Sequence, residues 1–369
     1  MGATTNIEWT EATWNPVSGC TEVSPGCDHC YAKSVAERFR GTQGHYYEHG
    51  FDVTLRPDKL DLPLRWTKPK RIFVNSMSDL FHDQVPDEYI ARVFAVMALA
   101  PQHTFQLLTK RHGRMRSLLG SDDFPMLVRR AMREFEPPVN HLEDPDPADG
   151  GNCGNCAAGV AHASFNWPLR NVWLGVSVEN QQWADIRIPA LLDTPAAVRF
   201  LSMEPLLGPV DLAAVPRPAC TCGERPLKIT AERSLPVHRT GCPATRYPWP
   251  DWVIVGGESG RGARPMHPGW ARSLREQCTA AGVPFLFKQW GEWAPSMGRV
   301  EHQGFVWNDG RLLEASSTPI RTFAARRPRY VVSSPPDAPG WVNVERVGKK
   351  AAGRELDGAT WDQFPGGEG

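Results

Sequence analysis

Short apolar runs that end in polar residues, most of them followed by helical periodicity, recur along the chain as far as Gln289. Arg71-Ile-Phe-Val-Asn75 is a buried-strand pattern whose polar end is Asn75-Ser76-Met77-Ser78-Asp79. The helix after it starts at Pro86 with two acids in its first turn. It places Ile90, Val93, Phe94 and Met97 at helical spacing and stops at Pro101. Thr104-Phe-Gln-Leu-Leu-Thr109 repeats the unit and leads into Lys110-Arg111 and a basic helical stretch. Val172 to Val178 leads into Glu179-Asn180, Val198 to Met203 ends at Glu204-Pro205, and Trp252 to Val255 ends at Gly256-Gly257-Glu258-Ser259-Gly260. A helix over His267 to Ala281 and a last apolar strand over Pro284 to Gln289 complete the series.

Apolar strands alternating with helices predict a parallel α/β domain, because strands buried on both faces need crossover helices to cover them. A barrel and a flavodoxin-like open sheet share this alternation. A barrel gathers every polar strand end at one rim, where barrel chemistry lies. Two Pro- and Gly-rich segments, about 136–166 and about 216–249, interrupt the rhythm. Both precede a strand, which assigns them to the face opposite the strand ends. After Trp293 the pattern changes to short mixed runs. Tyr330-Val-Val332 and Trp341-Val-Asn-Val344 are strand-like, and Lys349-Lys350 to Arg354 is basic. The organisation read here is one α/β domain over 1–292 with two insertions, and a C-terminal extension over 293–369 that packs on it and, if the domain is a barrel, closes its mouth.

The candidate chemistry lies upstream of the first of these strands. Trp14-Asn-Pro-Val-Ser-Gly-Cys20 and Pro25-Gly-Cys27-Asp-His-Cys30-Tyr-Ala place three cysteines in one loop, where Pro16, Gly19, Pro25 and Gly26 forbid regular structure. Tyr31 to Arg40 reads as a helix with Tyr31, Val35 and Phe39 on one stripe. Its N-terminus would lower thiolate pKa and suit an anionic cluster. Three thiolates at C-x6-C-x2-C fall one short of a closed zinc site or an ordinary four-cysteine iron–sulfur site, so one metal position stays open. A zinc site completed by His29, His45 or His49 is the competing reading.

The run Gly-Cys…Pro-Gly-Cys-Asp-His-Cys-Tyr-Ala resembles the cluster loop of radical S-adenosylmethionine (SAM) proteins, in a variant with six residues between the first two cysteines. Asn6-Ile7-Glu8-Trp9-Thr10 and Thr13-Trp14-Asn15-Pro16 are similar to a phage-associated family of unknown function that pairs with the three-Cys-motif partner protein. The second and third strand ends more distantly resemble spore photoproduct lyase-type proteins. The resemblance implies a partial (β/α)6 barrel, a [4Fe–4S] cluster on Cys20, Cys27 and Cys30, and S-adenosyl-L-methionine on the open iron. It implies an external electron donor, reductive cleavage of the cofactor, and hydrogen abstraction from a substrate; the lyase likeness points to a nucleic-acid-derived one. It places Asn75, Ser76 and Asp79 near the methionyl amino group, without the Gly-Gly-Glu usual there, and Ser177 and Glu179 near the ribose or carboxylate. Ser and Asp at such a strand end also often cap the next helix. Glu204, Glu258 and Lys288 close the remaining strands and are the candidate catalytic groups, with Lys110 a further basic group at the rim.

Composition adds limits. The 41 basic residues balance 41 acidic ones, so total charge argues for neither a nucleic-acid nor a membrane partner, while leaving local patches open. No stretch approaches a membrane span and the N-terminus lacks signal-peptide regions, which predicts a cytoplasmic protein with nine reduced cysteines, metal-binding or free. Cys220, Cys222, His238 and Cys242 can form a structural Zn²⁺ site within one insertion, or Cys153 and Cys156 can replace one pair and staple the two insertions together. Cys278 falls on an amphipathic helix and reads as core. The alternative function is a zinc-stabilised, non-catalytic module that binds nucleic acid or a partner protein through its basic helical stretch Arg111 to Arg133 and its aromatic-rich C-terminus.

Overall fold

Seven strands form one sheet whose spatial order is their order in the chain: β1 (Ala12–Trp14), β2 (Arg71–Val74), β3 (Thr104–Thr109), β4 (Val172–Ser177), β5 (Val198–Met203), β6 (Trp252–Gly256) and β7 (Phe285–Gln289). Every neighbouring pair is parallel. The structure is a computed structural model. It describes residues 5, 7–135, 166–216, 249–296 and 340–366, with short stretches between 303 and 330. A doubly wound sheet reverses its strand order at a switch point. This sheet never does, so the flavodoxin-like alternative is set aside. The edge strands β1 and β7 are not paired with each other, which leaves a half-barrel. Its curl is visible in Trp9, whose ring centroid is 4.6 Å from Phe73 on β2 and 6.1 Å from Trp252 on β6.

Strand side chains alternate between two faces. Ile72, Val74, Leu107, Val176, Leu201 and Val255 pack with the helices in the main core, while Phe73, Leu108, Trp173, Phe200, Trp252 and Leu286 gather around Trp9 on the concave side. Gly175 is needed here, since a Cβ would come 2.5 Å from the Phe200 ring. The crossover helices are α1 (Tyr31–Glu37), α2 (Asp87–Leu99), α3 (His112–Leu119), α4 (Phe124–Met132), α5 (Gln181–Leu192) and α6 (Pro268–Ala281). α2 buries Ile90, Val93, Phe94 and Met97 as its spacing predicts. α1 differs from the expectation: it ends at Glu37, its buried residues are Ala32 and Ala36, and Tyr31 is 65% exposed. Small Ala32 and Ala36 let α1 lie close to Met77 and Tyr47, and Val35 and Phe39 of the expected stripe pack against the same cluster while Tyr31 does not.

The C-terminal segment carries an antiparallel sheet of β8 (Trp293–Pro295), β9 (Gln303–Trp307), β10 (Leu312–Glu314) and β11 (Trp341–Arg346), in the order β8-β11-β9-β10. Arg329–Tyr330 pairs with Pro319–Ile320. The chain end covers the edge of β7, with Phe287 N–H donating to Trp361 O at 2.9 Å. The Phe364 ring then lies 5.0 Å from Trp252 and 4.5 Å from the Arg71 guanidinium, both first residues of their strands, so the tail plugs the opposite end of the half-barrel. Covering an exposed strand edge removes a template for unwanted pairing. Among the described residues, no helix is long and apolar enough to cross a membrane. The zinc candidates Cys153, Cys156, Cys220, Cys222, His238 and Cys242 lie outside the described residues.

A three-cysteine cavity at the strand ends

Beyond β1 the chain runs beside the end of β2 before turning into the cysteine loop. Gly19 N–H donates to Met77 O at 3.0 Å and the Ser78 hydroxyl to Val17 O at 2.7 Å. Gly19 has φ 84°, and a Cβ there would lie 2.2 Å from the Asp52 carbonyl oxygen, so no other residue fits this approach. From Cys20 to Tyr31 no residue is buried, and the only regular structure is one 3-10 turn, Pro25–Cys27, before Cys30 at the N-cap of α1. Cys20, Cys27 and Cys30 all line one cavity of about 420 Å³. Its other walls are Asn75, Ser76, Ser78 and Asp79 after β2, Leu108, Thr109 and Lys110 at the end of β3, and Ser177 at the end of β4, with Phe73 and Phe51 as apolar surface. This is the C-terminal face of the sheet, where barrel sites lie.

Burial pushes the Cys20 thiol up to about 12, reinforced by the Asp79 carboxylate and opposed by the Arg111 guanidinium. The expected lowering at a helix start therefore fails for Cys20, chiefly because the thiol is desolvated and secondarily because Asp79 is its neighbour. A bound metal would have to displace this proton. Among the described residues no three His, Cys, Asp or Glu side chains converge as ligands of a single ion. His29, His45 and His49 are not among the residues that line the cavity. Gly262 lies against the His29 ring, and His45 stacks on Phe39 at 3.9 Å. The donors that line the cavity thus include three thiols.

Cys278, buried on α6 as expected for core, is also pushed up to about 12 by burial, as is Tyr89. A folded-state pKa raised above the unfolded value gives stability that is full below the unfolded pKa, near 9 for Cys, and is lost as pH rises through the folded one. Metal-free protein should accordingly lose denaturant stability between about pH 9 and pH 12. Cys278→Ala should flatten that slope, measured as midpoint against pH.

Asn75 is the most exposing of the predicted cofactor residues in chemical terms. It is buried, holds φ 60°, and neither its Nδ2 nor its Oδ1 has a partner within the protein. A buried amide with donor and acceptor both unpaired is costly, and this one lines the cavity. Ser76 also lines it, while donating to Asn15 Oδ1 at 3.2 Å. Ser177 is buried in the wall. Asp79 is largely spoken for. The Thr109 hydroxyl contacts its two oxygens at 2.7 and 2.9 Å, Lys110 N–H donates at 2.9 Å and Phe81 N–H at 3.0 Å. It laces the end of β2 to the end of β3 and does not cap α2, whose N-cap is Pro86.

The remaining carboxylates do not converge on one point of the rim; each has its own partners. Glu179 is fully buried; its Oε1 accepts from the Ser24 hydroxyl at 2.6 Å and lies 3.8 Å from Lys110 Nζ, and its Oε2 accepts from Arg187 Nη1 at 2.8 Å. Glu258 takes Arg264 Nε at 2.9 Å, Nη2 at 2.6 Å and the Arg264 backbone N–H at 2.7 Å. Glu204 pairs with Lys288 Nζ at 2.8 Å and accepts from Gln289 Nε2 at 2.8 Å, away from the cysteine cavity. Two functional residues escaped the sequence reading, Arg187 and Arg264. Arg187 had a signal: it shares the buried stripe of α5 with Ala184, Ile188 and Leu191, and an arginine on an apolar stripe demands a counter-ion. Arg264 lies in an irregular turn and had none.

The fold and site define a class of α/β proteins: a half-barrel of parallel strands with a three-thiol, partly polar cavity at its strand ends. The chain belongs to the family described as protein of unknown function DUF5131, whose model matches residues 4–365. No curated protein and no solved structure matches it.

Proposed function

We propose that this protein is a radical SAM enzyme in which Cys20, Cys27 and Cys30 hold a [4Fe–4S] cluster. The observation that carries this reading is the shared cavity: three thiols and the unpartnered Asn75 amide line one wall-bounded space at the mouth of a partial parallel barrel. When bound, such a cluster with SAM supplies one-electron reduction and hydrogen-atom abstraction, chemistry that no side chain provides. The chain's own contribution is binding, orientation and exclusion of water. Asn75 offers one donor and one acceptor to an amino-carboxylate group, Ser177 a hydroxyl, and Lys110 a cation at the same wall. Phe51, Phe73 and Leu108 give the cavity an apolar lining that keeps solvent from a reactive species.

The binding-module alternative rests on the stretch Arg111 to Arg133 and the aromatic-rich C-terminus, and three of the stretch's arginines are engaged within the chain. Arg111 pairs with Asp83 at 3.4 Å, Arg114 with Asp87, and Arg116 with Asp193 at 3.5 Å. No observation here favours that reading. A nucleic-acid-derived substrate remains part of the proposal through the lyase likeness alone, and base-containing substrates are the first to test.

Asn75→Ala should weaken SAM binding to anaerobically reconstituted protein by about 1–3 kcal/mol, roughly 5- to 150-fold, while iron content stays at the wild-type level. Isothermal titration or equilibrium dialysis measures it. Wild-type affinity in this variant would remove Asn75 from the cofactor site, and no affinity in the wild-type protein would remove SAM.

A further inference from the structure

We propose that Glu179 and Glu258 are positioning residues for the cysteine loop, each acting with a dedicated arginine, and that together they fix Cys27 from two sides. The loop has no apolar anchor of its own, since every residue from Cys20 to Tyr31 is at least partly exposed. A segment like that is ordered only if specific polar contacts offset its conformational entropy. Those contacts converge on the five residues around Cys27. From β4, Glu179 accepts from the Ser24 hydroxyl at 2.6 Å while Arg187, fully buried, balances its charge from behind. From the turn after β6, Arg264 donates to Asp28 Oδ2 at 2.9 Å and Pro25 O at 2.8 Å while Glu258 holds its guanidinium by a fork of two bonds.

An independent observation places the same face of the loop against Glu179. A Cβ on Gly26 would come 2.5 Å from Glu179 Oε1, so glycine is what lets the loop lie this close to the buried acid. Neither carboxylate is free to serve a ligand in this arrangement. The sequence reading had assigned Glu179 to the cofactor and Glu258 to catalysis; the geometry points to a role through the loop.

The inference rests on the three-thiol reading of the loop, and its test separates it from the cluster proposal. Ser24→Ala and Asp28→Ala remove the loop side of each contact without stranding a buried charge, and Glu258→Gln removes the charge that orients Arg264. In metal-free full-length protein, alkylation by iodoacetamide at each cysteine is followed by mass spectrometry. Cys27 should react roughly tenfold faster in each variant, the shift expected from losing one charge-assisted hydrogen bond, while Cys278 keeps its wild-type rate. After loading with iron and sulfide, the same variants should shift the cluster's reduction potential, which a loop contact serving only general stability would leave unchanged. An unchanged Cys27 rate in all three variants, an equal rise at Cys278, or an unchanged potential overturns the proposal. Faster Cys27 alkylation in protein that takes up no iron leaves the positioning role standing and removes the cluster.

Discussion

Cys20→Ala, Cys27→Ala and Cys30→Ala should each abolish the iron–sulfur absorbance of reconstituted protein and any reductive cleavage of SAM, whereas Cys278→Ala should retain both. The effect is expected to be complete because, among the described residues, no further cysteine and no histidine lines the cavity. Losing one leaves two thiolates for a cluster that is already one short of the usual four. Absorption spectra and iron counts of the four variants, prepared side by side, decide this. A normal cluster in the Cys27 variant would mean that the ligand assignment is wrong.

Glu179→Ala should cost about 3–5 kcal/mol of folding stability, the usual penalty for stranding one member of a buried ion pair. Both side chains of the Glu179–Arg187 pair are fully inaccessible, and Arg187 Nε and Nη2 already lack partners, so without the carboxylate the buried cation keeps only neutral contacts, the Ser177 carbonyl at 2.8 Å and the face of Trp183 at 4.1 Å. Arg187→Met alone should be comparably damaging. The double replacement Glu179→Gln with Arg187→Met should recover much of the loss, because no charge is then buried alone. Urea midpoints with an unchanged slope measure it. A loss under about 1 kcal/mol for the single variant would show that water reaches the pair.

Six of the seven sheet strands were legible because each is a largely apolar run within four to six residues that leads into polar ones. β1 was not read from the pattern: its three residues, Ala12–Trp14, are too few to show a period. The facing of α1 is legible only in part for a similar reason. In a seven-residue helix a stripe rests on two or three positions; Val35 and Phe39 do pack inward, but Ala32 and Ala36 are the buried pair and Tyr31 is exposed. The cavity itself was legible through cysteine spacing and through the polar end of β2, which supplies Asn75, Ser76 and Asp79. What each acid does was not. Asp79, Glu179 and Glu258 all stand at strand ends as expected, yet their partners, Thr109, Ser24, Arg187 and Arg264, are set by strand adjacency and loop path. Neither leaves a periodic trace in one chain.

The central claim is most directly tested by the metal that the full-length protein holds when purified and reconstituted without oxygen. The account predicts a brown protein with about four iron and four labile sulfide per chain, a reduced-state electron paramagnetic resonance signal that changes on adding SAM, and loss of that signal in Cys27→Ala. Protein that binds only zinc at Cys20, Cys27 and Cys30, and takes up no iron under the same conditions, would contradict it.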